Sequence, residues 1–218
     1  MARTSRKGNT GPRSTRVRRR GAGATVAAVN PIETLAAWLA EAEAAGIREP
    51  SAMALATVSR EGVPSVRMVL CRGVDARGVR FFTNYDSRKA HELDATGRSA
   101  AVFHWAQLER QVRLEGRIER ATAAESDAYF HSRPRGNQLA GAVSPQSHPI
   151  ASLDELRAKY HELETHLAGG AVPRPEGWGG YWLVADAVEL WRAGADRMHD
   201  RVRHERRGDE WSGVRLAP

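Results

Sequence analysis

The chain has 218 residues, 41% hydrophobic and 27% charged, which suits one globular domain with a buried core and excludes a low-complexity or disordered class. Its single cysteine, Cys71, rules out an internal disulfide and fits a reducing cytosol; no apolar run approaches the roughly 20 residues of a membrane helix, so a cytoplasmic protein is expected. The formal charge of +7 is local: residues 1–31 carry eight Lys and Arg and no acid, leaving 25 of the 33 basic residues against 26 acidic ones in the rest.

Gly, Ser, Thr and Arg dominate residues 1–29, which read as a disordered basic tail ahead of a domain at 30–218. Such a tail can touch nucleic acid or another acidic surface, or serve only as a solubilising extension. A secretory signal is disfavoured, because 21–29 is too short and too weakly apolar after the arginines.

Asn30-Pro31-Ile32-Glu33 is a helix start, with Asn as cap, Pro in the first turn and Glu three residues on. Leu35, Trp38, Leu39 and Ala42 recur at helical spacing and Gly46 stops the run. Strands are expected at 52–58, 65–71 and 79–84, the first pair joined by a turn at 59–62 and the third preceded by a polar link at 73–78. A short helix at 87–95 precedes strands at 100–105 and 111–119, the latter with Val112, Leu114 and Ile118 on one face. Capping boxes at Thr122/Glu125 and Ser152/Glu155 open helices to about Ser132 and Leu167. The Gly/Pro/Ser-rich stretch 133–149 reads as a functional loop around a short helical piece. Strands resume at 180–184 and 187–191, and a hairpin at 201–206 and 211–216 turns at Gly208-Asp209. Many antiparallel strands with inserted helices give a mainly β, α+β chain that suggests a barrel.

Three stretches carry chemistry. Arg67 stands among Met68, Val69 and Leu70 on a strand, where a cation must reach solvent or meet an anion. Ser87-Arg88-Lys89 opens a helix, so backbone N–H groups, the helix dipole and two cations point at one place; a solvated helix start is the plainer reading. In Val188–Arg201, the residues Arg197, His199 and Arg201 fall at i, i+2, i+4. On a strand this spacing converges two guanidiniums and an imidazole on one face, suited to a planar anion, or it marks a wet edge strand. The scattered histidines and Asp86 and Asp94 lack metal-ligand spacing, so no metal is expected. No G-x-S-x-G motif is present, and Cys71 reads as packing rather than as a nucleophile.

Glu189, Trp191, Arg197, His199, Asp200 and Arg201 form a pattern that resembles the C-terminal E-x-W…R-[LM]-H-D-R signature of the pyridoxine (pyridoxamine) 5′-phosphate oxidases. Similar blocks run in the same order from about Glu49 to Pro218. The resemblance implies a split β-barrel homodimer with flavin mononucleotide (FMN) at the subunit interface. It places Arg67, Ser87, Arg88 and Lys89 at the FMN phosphate, with Met68, Val69 and Leu70 beside them, and Phe82, Thr83 and Gln111 at the isoalloxazine and ribityl parts. Gln146, Ser147, Trp191 and Arg201 match positions that the second subunit supplies; for Trp191, core packing is the alternative.

On the substrate side, Tyr129 and Arg133 match phosphate-binding positions. Arg72 stands where the family usually has Lys, and Asn137 where it has Ser. Arg72 keeps the charge but is planar and bulkier, and Asn137 can still donate an N–H bond. No match is found to the Arg and Tyr of the family's N-terminal segment. Arg197 is implied to lie against a pyridine ring and His199 to hold its 3-oxygen. The implied reaction converts pyridoxamine or pyridoxine 5′-phosphate to pyridoxal 5′-phosphate, with O2 as acceptor and H2O2 as product. Two alternatives stand beside it: an FMN-dependent oxidase of another ring, such as a reduced phenazine precursor, and a flavin-binding or nucleic-acid-associated protein without turnover.

Overall fold

The computed structural model describes residues 25–26 and 29–218. In chain order its elements are β1 (Thr25–Val26), α1 (Pro31–Ala44), β2 (Ala52–Val58), β3 (Pro64–Leu70), β4 (Val74–Asp75), β5 (Gly78–Asn84), α2 (Arg88–Thr96), β6 (Arg98–Trp105), β7 (Arg110–Arg120), α3 (Ala123–Ser132), α4 (Arg135–Val143), α5 (Leu153–Leu167), β8 (Trp178–Arg192), β9 (Asp200–Arg207) and β10 (Glu210–Leu216). Local chemistry sets most boundaries. Asn30 accepts from the Ile32 N–H, and Thr122 and Glu125 close a full capping box on α3. Ser152 accepts from the Glu155 N–H, the half of the expected box seen on α5.

The strands form one antiparallel sheet in the order β1-β10-β9-β8-β7-β6-β2-β3, with β5 pairing both β4 and β8. The two strands expected at 180–184 and 187–191 are instead one 15-residue strand, β8. One edge of β8 runs along β7 from Tyr181 to Arg192, while its other edge is shared: Trp178–Val184 pairs with β5 and Ala187–Arg192 with β9. The sheet forks between those segments, and β7 answers with a register shift at Glu115/Gly116. Gly116 is required there, since a Cβ would lie 2.0 Å from the Val184 carbonyl oxygen. This fork gives the split barrel.

Leu35, Trp38 and Ala42 of α1 pack into a core with Met53, Phe81 and Phe103 from the sheet. A separate apolar cluster, with Phe130, Leu139, Val172 and Trp178 at its centre, lies under the helical excursion between β7 and β8.

The expected tail at 1–29 lies outside the described residues except for two segments. Thr25 and Val26 pair with Val214 and Gly213 of β10, so ordered backbone begins before residue 30; Val29 leads into α1. The link at 73–78 contains β4, hairpinned onto the start of β5. Arg197, His199 and Arg201 do not share a strand, the condition on which their convergence on one face rested. Ala195–Arg197 is a 3-10 turn in which Asp196 and Arg197 take φ values of 53° and 64°, and β9 begins only at Asp200.

Candidate active site

A cavity of about 550 Å³ opens where β3, β5 and the helical excursion meet. It is lined by Met68, Val69, Leu70, Arg72, Phe82, Thr83, Lys89, Tyr129, Arg133, Asn137 and Gln146, all expected from the sequence, together with Ser132, Pro134 and Trp178. The fold thus brings flavin-side and substrate-side candidates onto one wall.

At one end stands Lys89, only 8% exposed. Its ammonium donates to Thr83 Oγ1 at 3.0 Å, Ser87 Oγ at 3.3 Å and Gln146 Oε1 at 2.8 Å, all neutral partners. Burial, and then the Arg67 charge, lower its pKa to about 8. A buried cation satisfied only by neutral oxygens is an anion site in waiting. The fully buried Ser87 precedes α2 without a side-chain capping bond; its hydroxyl faces Lys89 and Thr83 instead. Arg67 and Arg88 flank this point, joined through Glu92.

At the other end, Arg133 lies with its guanidinium carbon 5.0 Å from the Trp178 ring centroid. Its Nη1 is buried with no hydrogen-bond partner among the described residues, and burial, with the Arg72 charge, pulls its pKa down. Between the two ends runs an aromatic wall. Phe82 stacks on Tyr129 at 4.1 Å and on Trp178 at 5.5 Å.

Gln146 reaches the cavity of its own chain, on Lys89 and Thr83, although the resemblance assigned it to the second subunit. The loop that carries it is tied down on both sides, Ser144 O accepting from Asn84 Nδ2 and His148 Nε2 meeting the Asp86 carboxylate at 2.8 Å. Ser147, next along, is exposed with φ 72° and lines no part of the cavity.

The remaining candidates gather elsewhere. Gln111 is opposite Trp191 on β7 and β8, and Trp191 opposite Arg201 on β9. The Trp191 and His199 rings are 4.8 Å apart, and His199 Nδ1 accepts from the Gly194 N–H at 3.2 Å. Arg201 donates through Nε to Glu189 Oε1 at 2.8 Å and through Nη1 to the Ala217 carbonyl at 3.1 Å. Glu189 is 3% exposed and also accepts from Arg113. Arg197 is exposed at the end of its turn. Gln111, expected with the Lys89 group, belongs by position to this second cluster.

Sequence reading missed Trp178 and Glu92. Trp178 stands before the Gly179-Gly180 pair; a Cβ at Gly180 would sit 2.8 Å from Phe82, so small residues beside an aromatic one were the available signal. Glu92 follows Arg88 by one helical turn, the spacing of an ion pair. Among the described residues, no group of three or more His, Cys, Asp or Glu could hold a metal ion, and no helix is long and apolar enough to cross a membrane.

Residues 39–167 match the family model for pyridoxamine 5′-phosphate oxidase, and residues 178–218 match that for the pyridoxine 5′-phosphate oxidase C-terminal dimerisation region. The chain is 50% identical over 192 residues to a pyridoxine/pyridoxamine 5′-phosphate oxidase of Thermosynechococcus vestitus, covering 88% of this chain and 90% of the relative. It is 50% identical to one of Bordetella pertussis, covering 88% and 91%. Among solved structures it resembles PhzG from Burkholderia lata in complex with tetrahydrophenazine-1-carboxylic acid, with a TM-score of 0.82, 36% identity and coverage of 86% of this chain and 92% of that one. A pyridoxamine 5′-phosphate oxidase-related, FMN binding protein from Nostoc punctiforme shares the fold at a TM-score of 0.70 and 16% identity, over 86% and 97%. Sequence and split-barrel architecture agree, and this chain is an oxidoreductase that belongs to the pyridoxine/pyridoxamine 5′-phosphate oxidase family.

Proposed function

We propose that the protein binds FMN and oxidises pyridoxamine or pyridoxine 5′-phosphate to pyridoxal 5′-phosphate. The observation that carries this reading is a cavity with a cation at each end, Lys89 at one and Arg133 at the other, neither paired with a carboxylate among the described residues, and an aromatic wall between them. Two anionic groups and flat rings between them suit that arrangement. The residues present fit FMN: a buried ammonium without a counter-ion at the start of a nine-residue helix takes a phosphate. Arg67, Arg88, Lys89 and Ser87 would hold that phosphate, with Thr83 and Gln146 on the polar chain and Met68, Val69, Leu70 and Phe82 against the ring.

FMN held there would supply the redox chemistry, as acceptor of a hydride from the substrate's C4′ and donor to O2, with H2O2 as product and, for the amine substrate, water consumed and ammonia released. The protein's part is orientation and charge. Arg133 Nη1, free of any internal partner, donates to the substrate phosphate together with Arg72, Tyr129 and Asn137. His199 keeps its proton on Nε2, because Nδ1 accepts from Gly194; Nε2–H is then the donor to a ring oxygen. Arg197 covers the ring.

The cavity and the cluster of Gln111, Trp191, Arg197, His199 and Arg201 are two surfaces of one chain. A homodimer would complete each site by setting the cavity of one subunit against the second cluster of its partner, in keeping with the C-terminal dimerisation region matched at 178–218.

A second reading keeps FMN and changes the substrate to another reduced ring system. It is favoured by Arg72 and Asn137, which depart from the resemblance on the substrate side alone, and by the likeness to PhzG. One experiment decides between them. The purified protein should be yellow, and anaerobic pyridoxamine 5′-phosphate should bleach its visible flavin band. A flavin that stays oxidised with this substrate but bleaches with a dihydrophenazine carboxylate selects the second reading.

A further inference from the structure

Behind the proposed phosphate cradle lies a carboxylate that lines no part of the cavity. Glu92, one turn into α2, is 6% exposed and packed against β2 and β3. Its Oε2 accepts from the Thr57 hydroxyl, from Ser65 Oγ at 2.7 Å and from Arg67 Nη2 at 3.3 Å, and its Oε1 accepts from Arg88 Nε at 2.8 Å. The hydroxyl protons of Thr57 and Ser65 are therefore committed to Glu92, and their lone pairs accept from Arg67: Nη1 to Thr57 at 2.5 Å, Nη2 to Ser65 at 2.7 Å. Burial alone would raise the Glu92 carboxyl, but the bonds from Thr57, Ser65 and Arg88 hold it at about 2, so the network is ionised throughout the working pH range.

We propose that Glu92 is a positioning residue for the cofactor phosphate, an inference that rests on the cradle reading above. It fixes both arginines in different ways: the four Nη–H groups of Arg67 are spent on Leu55 O, Thr57, Ser65 and Glu92, so Arg67 contributes its charge and an Nε–H free among the described residues, while Arg88 keeps its fork for ligand. Among the described residues Arg88 is tied only through Nε, so both Nη atoms of its fork remain available on a side chain that is otherwise 60% exposed. An untethered surface arginine surrenders rotamer freedom on binding phosphate, and tethering removes that cost beforehand. The charges also balance. Arg67, Arg88 and Lys89 against Glu92 leave a net +2, the complement of a phosphate monoester near −2. Without Glu92, three cations would face one another across an empty cradle.

The test is the ratio of FMN to riboflavin affinity in apo-protein, measured by flavin fluorescence, because riboflavin lacks only the phosphate. Glu92→Asp keeps the charge and withdraws the carboxylate by one methylene. The ratio should fall about tenfold, the effect of misaligning one charge-assisted bond, with riboflavin affinity within about twofold of wild type. A double-mutant cycle separates positioning from bare charge. Arg88→Ala should lower the ratio about tenfold in wild type and less than about threefold in the Glu92→Gln background. An unchanged ratio in Glu92→Asp, or an Arg88→Ala cost equal in both backgrounds, overturns the proposal. Should thermal melts show the Glu92 variants unfolded, the double variant Thr57→Val plus Ser65→Ala keeps the carboxylate but removes both hydroxyl bridges between it and Arg67, leaving the 3.3 Å contact. It should lower the ratio several-fold, and no change again overturns Glu92's role. Wild type that binds FMN no better than riboflavin overturns the cradle reading itself.

Discussion

The Lys89 ammonium has exchanged water for three neutral oxygens, and burial with the Arg67 charge has brought its pKa to about 8. An arriving phosphate needs the protonated form. FMN affinity should therefore be level between about pH 6.5, above the second phosphate pKa near 6, and pH 8. Beyond pH 8 it should fall by up to about tenfold per unit, as the free protein loses that proton. Fluorescence titrations from pH 6.5 to 9.5 check this; Lys89→Met should bind weakly at every pH and show no bend at 8. Arg133, with its unpartnered Nη1, carries the matching expectation on the substrate side. Arg133→Ala should lower kcat/KM for pyridoxamine 5′-phosphate by about two orders of magnitude, from roughly 3 kcal/mol of charge-assisted bonding. Turnover of unphosphorylated pyridoxamine should hardly change.

The β9–β10 hairpin contains a histidine that the chemistry does not use. His204 is 2% exposed, its Nδ1 has no partner among the described residues, and a Cβ at Gly213 would press on its ring at 3.0 Å. Burial lowers its pKa below the ordinary 6.5, so the folded chain keeps it neutral while the unfolded chain takes up a proton. The sign follows from linkage: stability is full above pH 6.5 and declines as pH falls from 6.5 toward the depressed folded value. Melting temperature should drop more between pH 7.5 and 5.5 in wild type than in His204→Gln. Equal drops would mean that this hairpin does not open the fold in acid. Next to it, the 3-10 turn before β9 holds Asp196 and Arg197 in left-handed backbone, and a Cβ at Gly194 would lie 2.0 Å from the Met198 carbonyl oxygen. Two non-glycine residues held there store strain of the kind found at ligand-facing turns, and they turn Arg197 out of line with the strand that follows.

For the molecule as a whole, the two clusters make a sharp prediction about assembly. Sedimentation at micromolar concentration should give about twice 23.9 kDa. Complementation tests the sharing of sites more directly. Lys89→Ala damages the cavity and Arg197→Ala the second cluster, so each homodimer should be inactive. Denatured together and refolded, half the dimers would be mixed and each would carry one intact site, restoring about a quarter of wild-type activity. A mixture as inactive as its components would mean that both clusters serve a site within one chain.

The sequence by itself determined what rests on neighbours along the chain. The Asn30 cap, the capping box at Thr122 and Glu125, the turn at Gly208-Asp209 and the start of α2 after Ser87 are all fixed within a few residues. Most of the residues that line the cavity were likewise legible as site candidates, because their types and order resemble the family's. Tertiary structure decided the rest. Ala185-Asp186 reads as a strand break, yet β8 runs through it, because β7 pairs on both sides of that point, from Tyr181 to Arg192, while β5 and β9 divide its other edge. Alternation in 197–201 reads as a strand, yet the tight return at Gly194 forces a left-handed turn that no residue pattern announced. Glu92 reads as one more exposed helix acid; it is buried because Thr57, Ser65, Arg67 and Arg88 converge on it from three elements. Caps and turns depend on local bonds, whereas continuity, strain and the partners of a buried charge depend on which distant strands arrive alongside.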